Sequence, residues 1–343
     1  MAKILRRKKK KSGQLFGERL DALVLRFLWW LLTPLPVDWA SAAGRRVFGF
    51  VGPRSRKNRH VLANLMTAFP EKPRDEIERL AAEVWGNFGA VAIEFAVLPE
   101  LTDPARNRGR LEVVPDSRDP AFPIGNGPCI FVTAHCGNWE LGAHVVRQYV
   151  GALDVIYAPQ ANPHLDRLIQ KKREALGCNF ISKDNGVRGL LRALKSGRSV
   201  GLVVDTRIDE GPLLPFFGVE THVTTTPAWL ALKTGCAIVP VQGQRIRDAH
   251  FRITFHPALQ AVRRHDETLE QAALRVTGDI NALVESWIRA RPADWMCTKR
   301  RWPKESRDGR STANVATPES MVEANAAAEE HVAKPRLRPP SAS

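Results

Sequence analysis

Between residues 129 and 242 short β-rich runs alternate with stretches of helical periodicity, and this alternation restricts the chain to an α/β fold more firmly than any other feature. The β-rich runs are Cys129 to Thr133, Asp154 to Tyr157, Ser199 to Val204 and Ala237 to Gln242, and the helical stretches include 163–176 and 186–196. The pattern is an α/β one, and the fold expected is a mixed central sheet flanked by helices. From Arg45 to Leu98 the periodicity is helical, with Asp75 expected as an N-cap ahead of the apolar positions Ile77, Leu80, Ala81, Val84 and Phe88. There is no internal repeat and no GxGxxG or Walker A loop, so nucleotide-binding folds lose most of their support.

Four segments follow from composition and charge. Residues 1–19 form a basic arm that includes Lys3, Arg6, Arg7 and four consecutive lysines, Lys8 to Lys11. Residues 20–36 hold an apolar helix, interrupted by Asp21 and Arg26, that is too short to span a bilayer. It suits the interface of one leaflet, with Trp29 and Trp30 at headgroup level, although a core helix behind a basic tail would read the same way. Residues 37–303 make one large domain, and 304–343, rich in Ala, Glu, Pro and Ser, are expected to be disordered. No small-residue cleavage site precedes Pro34, so the N-terminus is expected to be retained.

A net charge of +15 demands an anionic partner, whether nucleic acid, an acidic carrier protein or an anionic bilayer. Nucleic acid is disfavoured, because the basic residues cluster at the start instead of interleaving with aromatics, and no recognition-helix motif is present. The five cysteines have no CxxC pair or zinc-type spacing, which predicts reduced thiols and no metal.

The chemistry is concentrated in Thr133-Ala134-His135-Cys136-Gly137-Asn138-Trp139-Glu140. Pro128 to Thr133 reads as a buried strand, and Asn138 as the N-cap of a helix through Gln148. His135 then lies in the connecting loop and Glu140 in the first helical turn, where the two can meet. An imidazole is a competent general base near neutrality, and a carboxylate beside it fixes its tautomer and stabilises the imidazolium. Gly137 would keep the loop open to substrate. A hydrogen-bonded histidine in a capped loop remains the plainer alternative, since HxxxxE arises easily by accident. Cys136 as a thiolate nucleophile is disfavoured, because adjacent residues in an extended loop point apart.

His135-Cys136-Gly137-Asn138-Trp139-Glu140-Leu141-Gly142 resembles the H-x(4)-[DE] block of the glycerolipid acyltransferase superfamily, and more closely the lipid A late (secondary) acyltransferases, the lauroyl/myristoyl transferases of lipopolysaccharide synthesis. Further blocks follow in that family's order: Tyr157-Ala158-Pro159 with Asn162-Pro163, Asp166, Arg173 and Gly177; Asp205 to Gly211 running into Pro215-Phe216-Phe217-Gly218; Thr224 to Pro227 with Ala231, Gly235 and Val239-Pro240; and Trp295 with Lys299-Arg300-Arg301-Trp302. Asn58, Asn64-Leu65, Ala68-Phe69-Pro70 and Asn87 also fit, so the likeness covers roughly residues 20–304. Thr206 and Cys136 depart from it, standing where the family often has Gln and where it often has Phe or Leu.

The resemblance implies a glycerolipid acyltransferase-like α/β fold and transfer of a fatty acyl group from acyl carrier protein thioester to a hydroxyl of a lipid A precursor. It places the reaction on the cytoplasmic face of the inner membrane, with no metal or cofactor. His135 would deprotonate the hydroxyl and Glu140 would orient His135, without an acyl-enzyme. Asn138, Arg173, Asp205 and Arg207 are the substrate-binding candidates. Arg173 and Arg207 would serve phosphate or simply solvate the surface, and Asp205 would be a substrate ligand or a loop cap. Trp139 and Phe216-Phe217 would line an acyl groove or pack the core. The nearest rival keeps the chemistry on another acceptor, a lysophospholipid, aminolipid or glycolipid, with acyl-CoA or acyl carrier protein as donor. The remote rival is a non-enzymatic basic membrane-binding protein.

Overall fold

The computed structural model describes residues 12–115, 127–183 and 186–303. Most of the basic arm and the tail from 304 onward therefore lie outside the described residues.

Five helices precede most of the sheet: α1 (Ser12–Leu32), α2 (Val37–Val51), α3 (Asn58–Ala68), α4 (Arg74–Glu94) and α5 (Leu98–Thr102). The α/β part follows with β1 (Leu111–Val114), β2 (Ile130–Thr133), α6 (Trp139–Val150), β3 (Leu153–Tyr157), α7 (Pro163–Arg173), β4 (Asn179–Ser182), α8 (Gly186–Lys195) and β5 (Ser199–Val203). A hairpin of β6 (Leu213–Phe216) and β7 (Val219–His222) leads to α9 (Thr226–Thr234), β8 (Ile238–Arg247), β9 (His250–Phe255) and α10 (Leu269–Ala290). Seven strands form the main sheet in the order β1-β9-β8-β2-β5-β3-β4. All its pairs are parallel except β8–β9, so the sheet is mixed and mostly parallel. The four expected strands become β2, β3, β5 and β8.

β2 sits between β5 and β8 and is buried on both faces, which is why its sequence is continuously apolar. Its side chains alternate between two cores: Ile130 and Val132 join Leu65, Val84, Leu190 and Val284 on one face, while Phe131 joins Leu98, Leu141 and Phe251 on the other. The strand ends at Thr133, so the loop carrying His135 leaves from the middle of the sheet at its carboxyl edge. Ligands commonly bind at this edge in open α/β sheets.

Several local expectations are corrected. Asp75 is not the N-cap of α4; Pro73 takes that place, and Asp75 lies in the first turn, paired with Arg79 at 3.0 Å. The apolar N-terminal helix begins at Ser12, inside the segment read as arm. Its tryptophans do not share one environment. Trp29 is buried and donates its indole N–H to the Ala92 carbonyl of α4 at 2.8 Å, whereas Trp30 is 71% exposed. No helix of the described residues is long and apolar enough to cross a membrane.

α2 lies close against α4 because glycines face each other across the contact. A Cβ on Gly44 would stand 2.6 Å from the Gly89 carbonyl oxygen, and one on Gly89 would collide with Gly44 and Phe48. The close approach brings Ser41 of α2 within hydrogen-bond reach of the buried end of α4.

Candidate active site

His135 emerges two residues beyond β2, and backbone pairing with the chain after α10 fixes its loop. The His135 carbonyl accepts from the Met296 N–H at 2.8 Å, and the Gly137 N–H donates to the Asp294 carbonyl at 3.0 Å. Gly137 has φ +57°, and a Cβ there would meet the Gly243 carbonyl oxygen of β8 at 2.9 Å. Its glycine is therefore required by a left-handed turn packed on protein backbone, not by the approach of substrate.

The imidazole partner is Asp205, at the end of β5. Nδ1 of His135 lies 2.8 Å from Asp205 Oδ1, which also accepts the His135 main-chain N–H at 3.1 Å. The other carboxylate oxygen accepts the indole N–H of Trp295 at 2.9 Å. Burial pushes the Asp205 carboxyl up. The charge of His135 and hydrogen bonds from His135 and Trp295 outweigh that and hold it below the ordinary carboxylate range. An ionised carboxylate only accepts, so Nδ1 carries the hydrogen and Nε2 of the neutral ring keeps its lone pair. The His135 side chain is 26% exposed and that of Asp205 3%, so the pair has its carboxylate inside and its imidazole at the opening. Trp139 stands edge-on to the ring, with centroids 4.7 Å apart.

Glu140 is placed differently from the expectation. It lies in the first turn of α6 but is not hydrogen-bonded to His135. The fork of Arg173 from the end of α7 engages both its oxygens, through Nε at 3.0 and 3.2 Å and through Nη2. The Arg173 guanidinium also lies 5.2 Å from the Phe180 ring. Glu140 and Arg173 thus form one buried ion pair that ties α6 to α7, and the sequence signal that joined His135 to Glu140 belongs to two adjacent pairs.

Asn138 does precede α6, but its side chain makes no capping hydrogen bond. Its amide donates to Glu94 Oε2 at 2.9 Å in the interior, which removes it as a surface for substrate. Glu94 is wholly buried and also accepts from Ser41 Oγ at 2.6 Å and from Arg245 of β8 at 2.5 and 2.9 Å. Arg245 Nε in turn donates to Asn87 Oδ1 at 3.0 Å, and the Asn87 amide donates to the Asp294 carbonyl at 3.2 Å. Glu94 and Asn87, seven residues apart on one face of α4, thereby brace the reactive loop from behind.

Arg207 follows Asp205 and pairs with Asp209 at 3.0 Å near the surface. Phe216 and Phe217 are buried among Phe69, Trp295 and Trp302, in line with core packing. Phe217 adopts φ +54°, a conformation rare for an aromatic residue, in order to stack on Trp295. Cys136 is buried, and burial, then the charges of Asp205 and Asp294, raise its thiol well above the usual range. This is against a role as a thiolate nucleophile, the alternative that the sequence disfavours. No group of His, Cys, Asp and Glu among the described residues could hold a metal ion.

The sequence reading assigned no role to Trp295, Glu94, Arg245 or Arg301. A signal existed for Glu94, a single acid in the apolar run Ala90 to Leu98, since a charge so placed needs a buried partner. The partner, Arg245, is 151 residues away and could not be paired with it by inspection.

A half-open imidazole held by a buried carboxylate at the carboxyl edge of an α/β sheet is an arrangement that can act as a general base. The family is equally plain: residues 7–304 match the model of the bacterial lipid A biosynthesis acyltransferases, and the chain belongs to that family of acyltransferases. It is 24% identical to the phosphatidylinositol mannoside acyltransferase of Mycolicibacterium smegmatis over 301 residues, 82% of this chain and 91% of the relative. It is also 24% identical to the lipid A biosynthesis palmitoleoyltransferase of Escherichia coli over 278 residues, 80% of this chain and 88% of the relative. The phosphatidylinositol mannoside acyltransferase of Mycobacterium tuberculosis is 25% identical over 293 residues, 80% of this chain and 86% of the relative.

Proposed function

We propose that the protein transfers a fatty acyl group from an acyl carrier protein thioester to a hydroxyl of a lipid A precursor, with His135 as general base and Asp205 as the carboxylate that orients it. The observation that carries this reading is the 2.8 Å contact between His135 Nδ1 and Asp205. Nε2 takes the proton of the acceptor hydroxyl as its oxygen attacks the thioester carbonyl. The new C–O bond forms, the tetrahedral intermediate collapses, the C–S bond breaks, and the leaving thiolate receives the proton from the imidazolium. No acyl-enzyme forms. A general base of this kind supplies on the order of 10²–10⁴ in rate, and positioning of the two substrates supplies most of the rest.

In this reading Glu140 acts on the reaction through Arg173. Their ion pair holds the first turn of α6 beside His135, and Asp205 takes the orienting role that spacing suggested for Glu140. The substrates are brought to a membrane surface by α1 and α2, whose Leu23, Phe27, Trp30, Trp39 and Phe50 are exposed next to Arg26 and Arg46. Apolar side chains for the leaflet together with cations for its anionic headgroups suit peripheral attachment at the cytoplasmic face of the inner membrane.

Identity near 24% to both lipid A and phosphatidylinositol mannoside acyltransferases gives the second reading, the same chemistry on another glycolipid hydroxyl. A panel separates them. Purified protein in detergent is given acyl carrier protein or CoA thioesters with a tetraacylated lipid A precursor, a phosphatidylinositol mannoside or a lysophospholipid, and products are read by mass spectrometry. Product with the lipid A precursor supports the first reading; product only with another acceptor moves the assignment to the second.

A further inference from the structure

Several arginine forks among the described residues close on carboxylates, and the buried Arg301 does not. Arg173 gives its Nε and Nη2 to Glu140, Arg198 gives the same two atoms to Asp154, and Arg275 gives them to Glu267. Arg245, the other deeply buried guanidinium, is closed on Glu94 by its two terminal nitrogens. Arg301 is only 2% exposed and has no ion pair among the described residues. Its Nη1 donates to Thr221 Oγ1 at 2.9 Å and to the His222 carbonyl at 3.0 Å. Its face rests on Phe216, 4.8 Å from the ring centroid. Nε and Nη2, the side-on pair that grips two oxygens of one anion, are buried without a partner.

Burial lowers the Arg301 pKa to about 10, with Arg207 adding to that effect and Asp205 opposing it, so the group is still cationic at neutral pH. A buried cation with its fork unmet is costly, and a bound anion is one way in which a folded protein satisfies it. The location supports this explanation. Phe216, under the guanidinium, packs against Trp295, and Trp295 is hydrogen-bonded to Asp205. The chain holding Arg301 is itself fixed, since the Arg301 main-chain N–H donates to Asn64 Oδ1 at 2.9 Å and the Asn64 amide donates to the carbonyls of Cys297 and Lys299.

We propose that the Nε/Nη2 fork of Arg301 is a phosphate subsite next to His135 and Asp205, gripping two oxygens of a phosphate ester on one of the two substrates. The assignment rests on the acyl-transfer reading for the identity of the ester, which is either the phosphopantetheine phosphodiester of the donor or a phosphate of the lipid acceptor. Both fork nitrogens are covered, so the ester reaches them only as the segments packed over them part.

The first test needs no turnover. Full-length protein in detergent is melted in inorganic phosphate and in chloride of equal ionic strength. Phosphate is expected to raise the Tm of the wild type by about 2–4 °C near saturation, and Arg301→Lys, which keeps the charge but loses the fork, to abolish the rise. Should Arg301→Lys fold poorly, Thr221→Val removes one anchor of Nη1 and is expected to reduce the rise. No phosphate-specific rise in the wild type, or an undiminished one in Arg301→Lys, overturns the proposal.

Kinetics then identify the source. Arg301→Lys is expected to raise KM about 10–100-fold for the phosphate-bearing substrate that fills the fork. The difference from wild type should vanish with a pantetheine thioester lacking the phosphate if the donor fills it, or with a dephosphorylated acceptor if the acceptor does. A difference that persists with both stripped substrates overturns the subsite. Phosphate-dependent melting in a wild type that transfers no acyl group would instead overturn the acyl-transfer reading and leave the anion site standing.

Discussion

Asp205 holds the His135 imidazole through one carboxylate oxygen and the Trp295 indole through the other. Sequence spacing paired His135 with Glu140, five positions on, whereas folding brings in a carboxylate from 70 positions away and gives Glu140 to Arg173. The histidine was legible because strand, loop and helix signals around it are local. Its partner was not, because which strand lies beside β2 depends on sheet order, and β5 carries no mark of that in its own residues. Asp205→Asn is expected to keep the hydrogen-bond geometry near Trp295 but leave His135 without a carboxylate. It should lower kcat about 10²–10⁴-fold with KM little changed, measured by steady-state acyl transfer. The folded-state pKa of Asp205 lies below its unfolded value, so its ionised form stabilises the fold at pH above the usual carboxylate range, and that contribution is lost as pH falls through the folded value. Melting curves at stepped pH should therefore show the gap between wild type and Asp205→Asn narrowing only on the acid side. A gap that is constant with pH would mean that Asp205 is not ionised in the fold.

At the scale of elements, two largely buried ion pairs tie together the elements around the loop that carries His135, Glu140–Arg173 between α6 and α7 and Glu94–Arg245 between α4 and β8. Breaking one member of such a pair leaves a buried charge, so Glu94→Leu or Arg173→Leu is expected to destabilise the protein by about 3–5 kcal/mol in denaturant titrations. The Glu140→Leu/Arg173→Leu double variant should recover part of that loss, because neither charge is then orphaned, and a double-mutant cycle measures the recovery. The α2–α4 contact tolerates no added atom where glycines meet, and Gly89→Ala should destabilise by about 1–3 kcal/mol through overpacking. The major strands were legible because β2 and β5, buried on two faces, are written as unbroken apolar runs. The helical periodicity from Arg45 to Leu98 leaves the bounds of α2, α3 and α4 open, since periodicity alone does not show where one helix stops and the next turns back. The β6–β7 hairpin was missed because Pro215 and Thr221 interrupt any simple alternation.

For the molecule as a whole, the exposed large apolar side chains among the described residues concentrate on α1 and α2. α2 carries the exposed Trp39 and Phe50 and also sends Ser41 to Glu94, so the surface proposed to meet the bilayer is one hydrogen bond from the carboxylate that braces the reactive loop. Sedimentation with vesicles containing anionic lipid should recover the wild-type protein at low salt, with binding weakened at high salt. The Trp30→Glu/Trp39→Glu variant should remain largely in the supernatant while keeping its melting temperature, because both side chains are exposed. Equal sedimentation of the two proteins would remove α1 and α2 as the membrane face. The net charge of +15 calls for an anionic partner without choosing among nucleic acid, carrier protein and bilayer, and only the fold shows that Trp29 is spent on packing and Trp30 is not.

The central claim is that His135 is the base for acyl transfer, and a single-turnover assay of His135→Ala tests it most directly. With thioester donor and lipid acceptor prebound, ester formation is expected to be about 10²–10⁴-fold slower than in the wild type, in a variant that is still folded at the assay temperature though melting lower for the loss of the Asp205 partner. Ester formation by the folded variant within a few-fold of the wild-type rate would contradict it.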